Sequence, residues 1–139
     1  MLLPVASLPS KYGIGAFSKE AYEFVDQLKR AGQQYWQILP LGPTGYGDSP
    51  YQSFSAFAGN PYFIDLGVLI RDGWLSEEEC GHVDFGSNPR EIDYDKVYTN
   101  RFPLLRKAYD RWKEKAAGAR DVQLSPETGD YCFYMAVKD

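Results

Sequence analysis

Tyr46, Asp48, Ser49 and Tyr51 fall within six residues (YGDSPY), on a backbone stiffened by Pro50. Two flat rings, a carboxylate and a hydroxyl form the mixture that sugars ask of a binding site. The rings stack on apolar C–H faces, while the carboxylate and hydroxyl bond the sugar hydroxyls. Selectivity would come from those hydrogen bonds, because a site built for a given hydroxyl rejects a ligand lacking it. The same residues also suit a rigid turn in which Asp48 caps backbone amides. Chemistry alone leaves both readings open.

No other constellation offers a self-sufficient active site. His82 is the sole histidine and sits in an acidic stretch, where it reads as a surface or capping residue. GPTGYG has the look of a phosphate loop but lacks the lysine of GxxxxGK[ST], and GxGxxG is absent. Glu77, Glu78 and Glu79 are contiguous, so a helix would point them to different sides, which suits a solvated face. Cys80 and Cys132 stand 52 positions apart without a CxxC pair, which excludes the common zinc spacings and reads as two reduced thiols.

These residues need elements to hold them. Met1 to Ser7 reads as a short buried strand, followed by the KYGIGAF loop. A helix then runs to Gly32, with Ser18 as its cap and Phe17 and Tyr22 spaced as a hydrophobic staple. Tyr35 to Leu41 (YWQILPL) reads as a second buried strand, on which Trp36 suits core packing at least as well as ligand contact. Strand, one-sided helix and strand make a βαβ unit with parallel pairing. Gly42 to Pro61 is a long loop with no basic residue. It begins at the carboxyl end of a strand, where ligands gather in such folds. Tyr62 to Leu66 (YFIDL) is strand-like. Ser76 and Glu79 form a capping box, Phe85 to Asp95 is loop-like, and a helix is expected from Asn100 to Ala117. That helix would carry Leu105, Ala108, Tyr109, Trp112 and Ala116 on one face and Pro103 in its first turn. A last helix starts at Ser125.

The whole is 139 residues with a net charge of −4 and 16% aromatic residues, Tyr (11) ahead of Phe (8). That is one ordinary domain. The acidic balance argues against nucleic acid, since phosphate contacts need a concentrated basic face. No run of about 18 apolar residues exists to span a membrane, and the opening lacks the charged region of a signal peptide. Soluble and cytoplasmic is the expectation.

LPSKYGIG together with YWQILPLGPTGYGDSPYQSFSAFAGNPYFIDL resembles the start of the amylomaltases, the 4-α-glucanotransferases also called disproportionating enzymes; IDYDKVY (Ile92 to Tyr98) looks like that family's next segment. The resemblance implies an α/β fold, the N-terminal portion of a (β/α)₈ TIM barrel with an inserted, mostly helical subdomain, the barrel incomplete in this chain. Residues 1–66 would be the first βαβ part of the catalytic barrel, with a glucan-binding loop at 42–61. Residues 67–139 would belong to the inserted subdomain, cut short. It further implies retaining transfer of an α-1,4-glucan segment to the 4-hydroxyl of glucose or another glucan. The nucleophile and acid/base lie outside this chain, so no Asp or Glu here takes those roles, and the chain by itself is expected to be inactive. Tyr51 matches the tyrosine that packs against the sugar beside the scissile bond, with Ser49 and Asp48 as neighbours in the pocket wall. Tyr46 and Tyr98 match aromatics of a secondary glucan site. The partners implied are α-1,4-glucans, maltooligosaccharides and glucose as acceptor, with no metal or organic cofactor. A non-catalytic glucan-binding module, or a structural domain whose YGDSPY loop is only a turn, would share the same charge and βαβ start.

Overall fold

The computed structural model describes residues 1–45, 47–88 and 90–115, together with Pro126, Cys132, Met135 and Val137, which are helical. The last helix expected from Ser125 otherwise lies outside the described residues.

Neither strand expected at Met1 to Ser7 or at Tyr35 to Leu41 forms among the described residues; what is present of the βαβ pattern is one parallel bridge with a helix between its arms. Leu2 and Gln37 make a parallel bridge, with the Leu3 amide donating to the Gln37 carbonyl and the Gln37 amide to the Met1 carbonyl (3.1 and 2.8 Å). The ladder goes no further: Leu3 O, which would accept its next rung, accepts from Trp36 Nε1. Val5–Ser7 turns into a 3₁₀ turn instead, so the strand expected to Ser7 shrinks to a single bridge. Between the two bridged segments runs α1 (Lys19–Arg30). Gly32 closes it at φ 74°. Its amide reaches Lys29 O and that of Gln33 reaches Leu28 O (3.0 and 2.9 Å), a Schellman end. At the other end Ser18 is the N-cap residue, yet its hydroxyl donates to the Glu20 carboxylate rather than accepting from the backbone. The expected staple is replaced too: Phe17 lies edge-on to Phe63 (6.1 Å), and Tyr22 is exposed.

YFIDL is not a strand. Asn60 accepts from the Tyr62 amide and sets a 3₁₀ turn at Pro61–Phe63. Asp65 then accepts from the Gly67 amide and starts α2 (Leu66–Arg71). Two side-chain caps, Asn60 and Asp65, on either side of the apolar run outcompete its strand tendency. Helix α3 (Glu77–Gly81) carries the Ser76–Glu79 capping box that its sequence indicates. Helix α4 (Tyr94–Lys115) begins six residues earlier than expected, where Asp93 accepts from the Lys96 amide at 3.1 Å. Pro103 therefore lies well inside α4, not in its first turn, and the buried face is Val97, Arg101, Leu104 and Ala108, with Tyr109 exposed.

Three clusters make the core. Val5, Leu8 and Ala21 pack with Phe24 and Trp36 under α1. Ile14, Tyr62 and Val97 form the middle. Tyr12, Leu66, Leu75, Cys80, Phe85, Leu104 and Ala108 tie the early loop to α2, α3 and α4. Gly13 stands at this junction with φ 81°, and a Cβ there would sit 2.7 Å from that of Phe85.

Candidate functional site

The long loop after the second bridged segment is stitched to itself. Its base closes where the Asn60 amide donates to Leu41 O at 2.8 Å, and Thr44 and Ser53 form an antiparallel bridge across it. The Ser53 hydroxyl donates to Ser55 O at 2.7 Å, and the Ser55 hydroxyl accepts from the Phe57 and Ala58 amides. The two arms approach so closely that a Cβ on Gly42 would lie 2.1 Å from Ser53 Oγ and 2.6 Å from Ser55 O. Loops that keep one shape suit binding, since less is lost in ordering them around a ligand.

At its tip Asp48 holds φ 52°, the left-handed region that Asp tolerates better than most residues. Its amide donates to Gly45 O at 3.1 Å, and its Oδ1 accepts from the Thr44 hydroxyl at 3.3 Å. Ser49 O accepts from the Gln52 amide at 3.1 Å. Asp48 and Pro50 line a cavity of about 150 Å³ together with Asn60, Tyr62 and Tyr94. Tyr62 is buried, and burial first, then the nearby Asp48 charge, push its phenol well above the ordinary range. Burial and then Asp48 push Tyr94 up as well. Both phenols therefore stay protonated and able to donate.

Tyr51 projects from this tip with 73% of its surface exposed, the state of a ring free to meet a ligand. Asp48 and Ser49 are half-buried beside it in sequence. Tyr98, on α4, is 63% exposed and lies edge-on to Phe102 (5.2 Å), whose ring meets Tyr62 at 5.8 Å. Tyr46 lies outside the described residues. Trp36 belongs to the core: its Nε1 donates to Leu3 O at 2.8 Å and its ring meets Phe24 edge-on. His82 is exposed, at the end of α3.

Asp48 is the one carboxylate among the described residues lining the cavity. Retaining glycosyl transfer needs two carboxyl groups about 5 Å apart, so this surface can hold a sugar but does not by itself supply the pair that cleaves its bond. No group of three or more His, Cys, Asp or Glu among the described residues could hold a metal ion, and no helix among them is long and apolar enough to cross a membrane. Sequence reasoning missed Tyr62 and Tyr94. Tyr62 stands in the apolar YFIDL run, which signals a core, and Tyr94 between two aspartates; nothing local says that both line a cavity with a carboxylate brought in by the loop.

A family model described as 4-alpha-glucanotransferase matches residues 3–139. The chain is 51% identical to the 4-alpha-glucanotransferase of Streptococcus pneumoniae serotype 4 over 100% of its own length, and 51% identical to that of Thermus thermophilus over 99%. It spans 28% of the length of each. Among solved structures, the amylomaltase from Streptococcus agalactiae in complex with acarbose superposes with a TM-score of 0.81 at 43% identity, over 86% of this chain and 24% of that one.

Proposed function

The chain belongs to the 4-alpha-glucanotransferase family, and from that premise we propose that it is the sugar-gripping front of such an enzyme. The full-length protein transfers a segment of an α-1,4-glucan to the 4-hydroxyl of glucose or another glucan, with retention at the anomeric carbon. Residues 1–66 supply the first βαβ part of a (β/α)₈ barrel, and 67–139 begin a mostly helical inserted subdomain. The carboxylates that break the bond come from beyond this stretch. Maltooligosaccharides are the donors, glucose and glucans the acceptors, and the cytoplasm the compartment.

Within this reading Tyr51 packs against the sugar beside the scissile bond, while Ser49 and Asp48 form the wall next to it. Tyr46 and Tyr98 serve a secondary glucan site. The acarbose held by the S. agalactiae amylomaltase, a maltooligosaccharide analogue, supports the substrate class. The observation that carries the reading is the exposed Tyr51 ring on a loop stitched at its base and anchored at its tip.

Replacing Tyr51 tests it. In the full-length protein, Tyr51→Ala should lower kcat/KM for maltotriose about tenfold or more, equivalent to about 1.4 kcal/mol or more of lost sugar contact, while Tyr51→Phe keeps most of it. An alanine variant with wild-type kinetics would leave the loop a mere turn.

A further inference from the structure

The Asp48 cavity does not end in a closed wall. Ala6, Ser7, Ile14, Ile92 and Tyr94 line it and also line a second groove, of about 660 Å³. That volume is in the range of a small-molecule site. The groove runs between the early loop, residues 6–15, and the 83–92 segment that leads into α4. Both walls are fixed by their own hydrogen bonds. On one side the Gly15 amide donates to Ala6 O and the Tyr12 amide to Ser10 Oγ, both at 3.0 Å. On the other, Asp84 accepts from the Gly86 amide (2.8 Å) and Lys96 Nζ (2.7 Å), and Asn88 Oδ1 accepts from the Arg90 amide (3.0 Å). Between these walls Ser7, Ser87, Arg90 and Glu91 are exposed. Among the described residues, neither the Arg90 guanidinium nor the Glu91 carboxylate has a hydrogen bond or ion pair. The charges lining the groove balance, Lys11 and Arg90 against Asp84 and Glu91. A balanced set suits a neutral ligand rich in hydroxyls better than a phosphate or an ammonium group, because each hydroxyl both donates and accepts.

We propose that this groove holds the part of a glucan that extends beyond the Asp48 cavity, with Arg90 and Glu91 bonding its hydroxyls. The chain passes from one space to the other by Ser7 and Tyr94, which line both. A short glucan such as maltotriose ends before the groove, whereas maltoheptaose enters it, so the groove selects for chain length. This rests on the glucan-binding reading of the Tyr51 loop. Because the walls are already set, little is lost in ordering them around the sugar.

The test compares maltotriose with maltoheptaose in the full-length protein. Arg90→Ala combined with Glu91→Ala removes hydrogen bonds to charged groups, which predicts KM for maltoheptaose up about tenfold. The constants for maltotriose should stay within about twofold, since that sugar does not reach the groove. Ser87→Trp, on the exposed rim, places a large ring in the groove and should show the same split between the two substrates. Unchanged KM for maltoheptaose in both variants overturns the proposal, and so does an equal loss for both sugars. Should Ser87→Trp lower the melting temperature, the alanine pair carries the comparison. A wild-type protein that transfers no sugar overturns the transferase reading, and the groove is then judged by titrating maltoheptaose alone. Binding that Ser87→Trp weakens upholds the groove; no binding, or binding that the variant leaves unchanged, overturns it.

Discussion

Glu79 concentrates more contacts than any other carboxylate described. It bonds both guanidinium nitrogens of Arg111 (2.8 and 2.7 Å), pairs with Lys107, and closes the capping box on the Ser76 amide. Arg111, then Lys107, then the Ser76 amide hold its pKa far below the ordinary value of 4.5. The folded chain thus binds this proton less readily than the unfolded one. The network's contribution is fully present at neutral pH and is lost as pH falls below 4.5 toward the folded value. Glu79→Gln should lower the melting temperature at pH 7 by a few degrees, and the gap to wild type should narrow as the solution is acidified below that range. A gap that stays constant with pH would contradict the ion-pair account. The capping box was readable from Ser76 and Glu79 alone, because an N-cap and its reciprocal acid are local. Arg101 was not. It is 1% exposed, donates to the Tyr12 and Ile64 carbonyls, and burial lowers its pKa to about 10, so it is still charged at neutral pH. Its one sequence signal was its place in the stripe Val97, Arg101, Leu104, Ala108, where a charge stands at helical spacing among apolar residues.

Among the elements, helices with their own caps were legible and those started by a distant or competing signal were not. α1 ends at Gly32 as its spacing demands. The start of α4 was hidden because Gly86 and Asn88 read as loop, while the decisive cap, Asp93, sits where the loop was expected to continue. YFIDL misled because a short apolar run looks like a strand unless Asn60 and Asp65 are recognised as caps on either side. That 42–61 is a long loop was legible from its composition, but its stitching through Thr44, Ser53 and Ser55 depends on contacts across the loop. Gly42→Ala probes that stitching, because its Cβ would press on the Ser55 carbonyl as well as on Ser53 Oγ. Crowding of this kind costs about 1–3 kcal/mol. The expected outcome is faster proteolytic cleavage within 42–61 and a raised KM for maltotriose in the full-length protein, with α1 unaffected in amide exchange. Unchanged cleavage and KM would show that the two arms have room to spare.

At the scale of the molecule, the early loop around Tyr12 and Gly13 shares a core with α2, α3 and α4, and the aromatic layer of Tyr62, Tyr94 and Phe102 carries the loop tip on one side and Tyr98 on the other. In the proposed reading this arrangement binds and the bond-breaking pair lies elsewhere in a longer protein; the chain spans 28% of the length of the 4-alpha-glucanotransferase of Streptococcus pneumoniae that it matches. The central claim is tested most directly by incubating the full-length protein with maltotriose and separating the products. Transfer predicts glucose, maltopentaose and longer maltooligosaccharides, with isotopically labelled glucose entering the reducing ends, while residues 1–139 alone yield none of them. Hydrolysis without elongation, or no turnover at all by the full-length protein, would contradict the account.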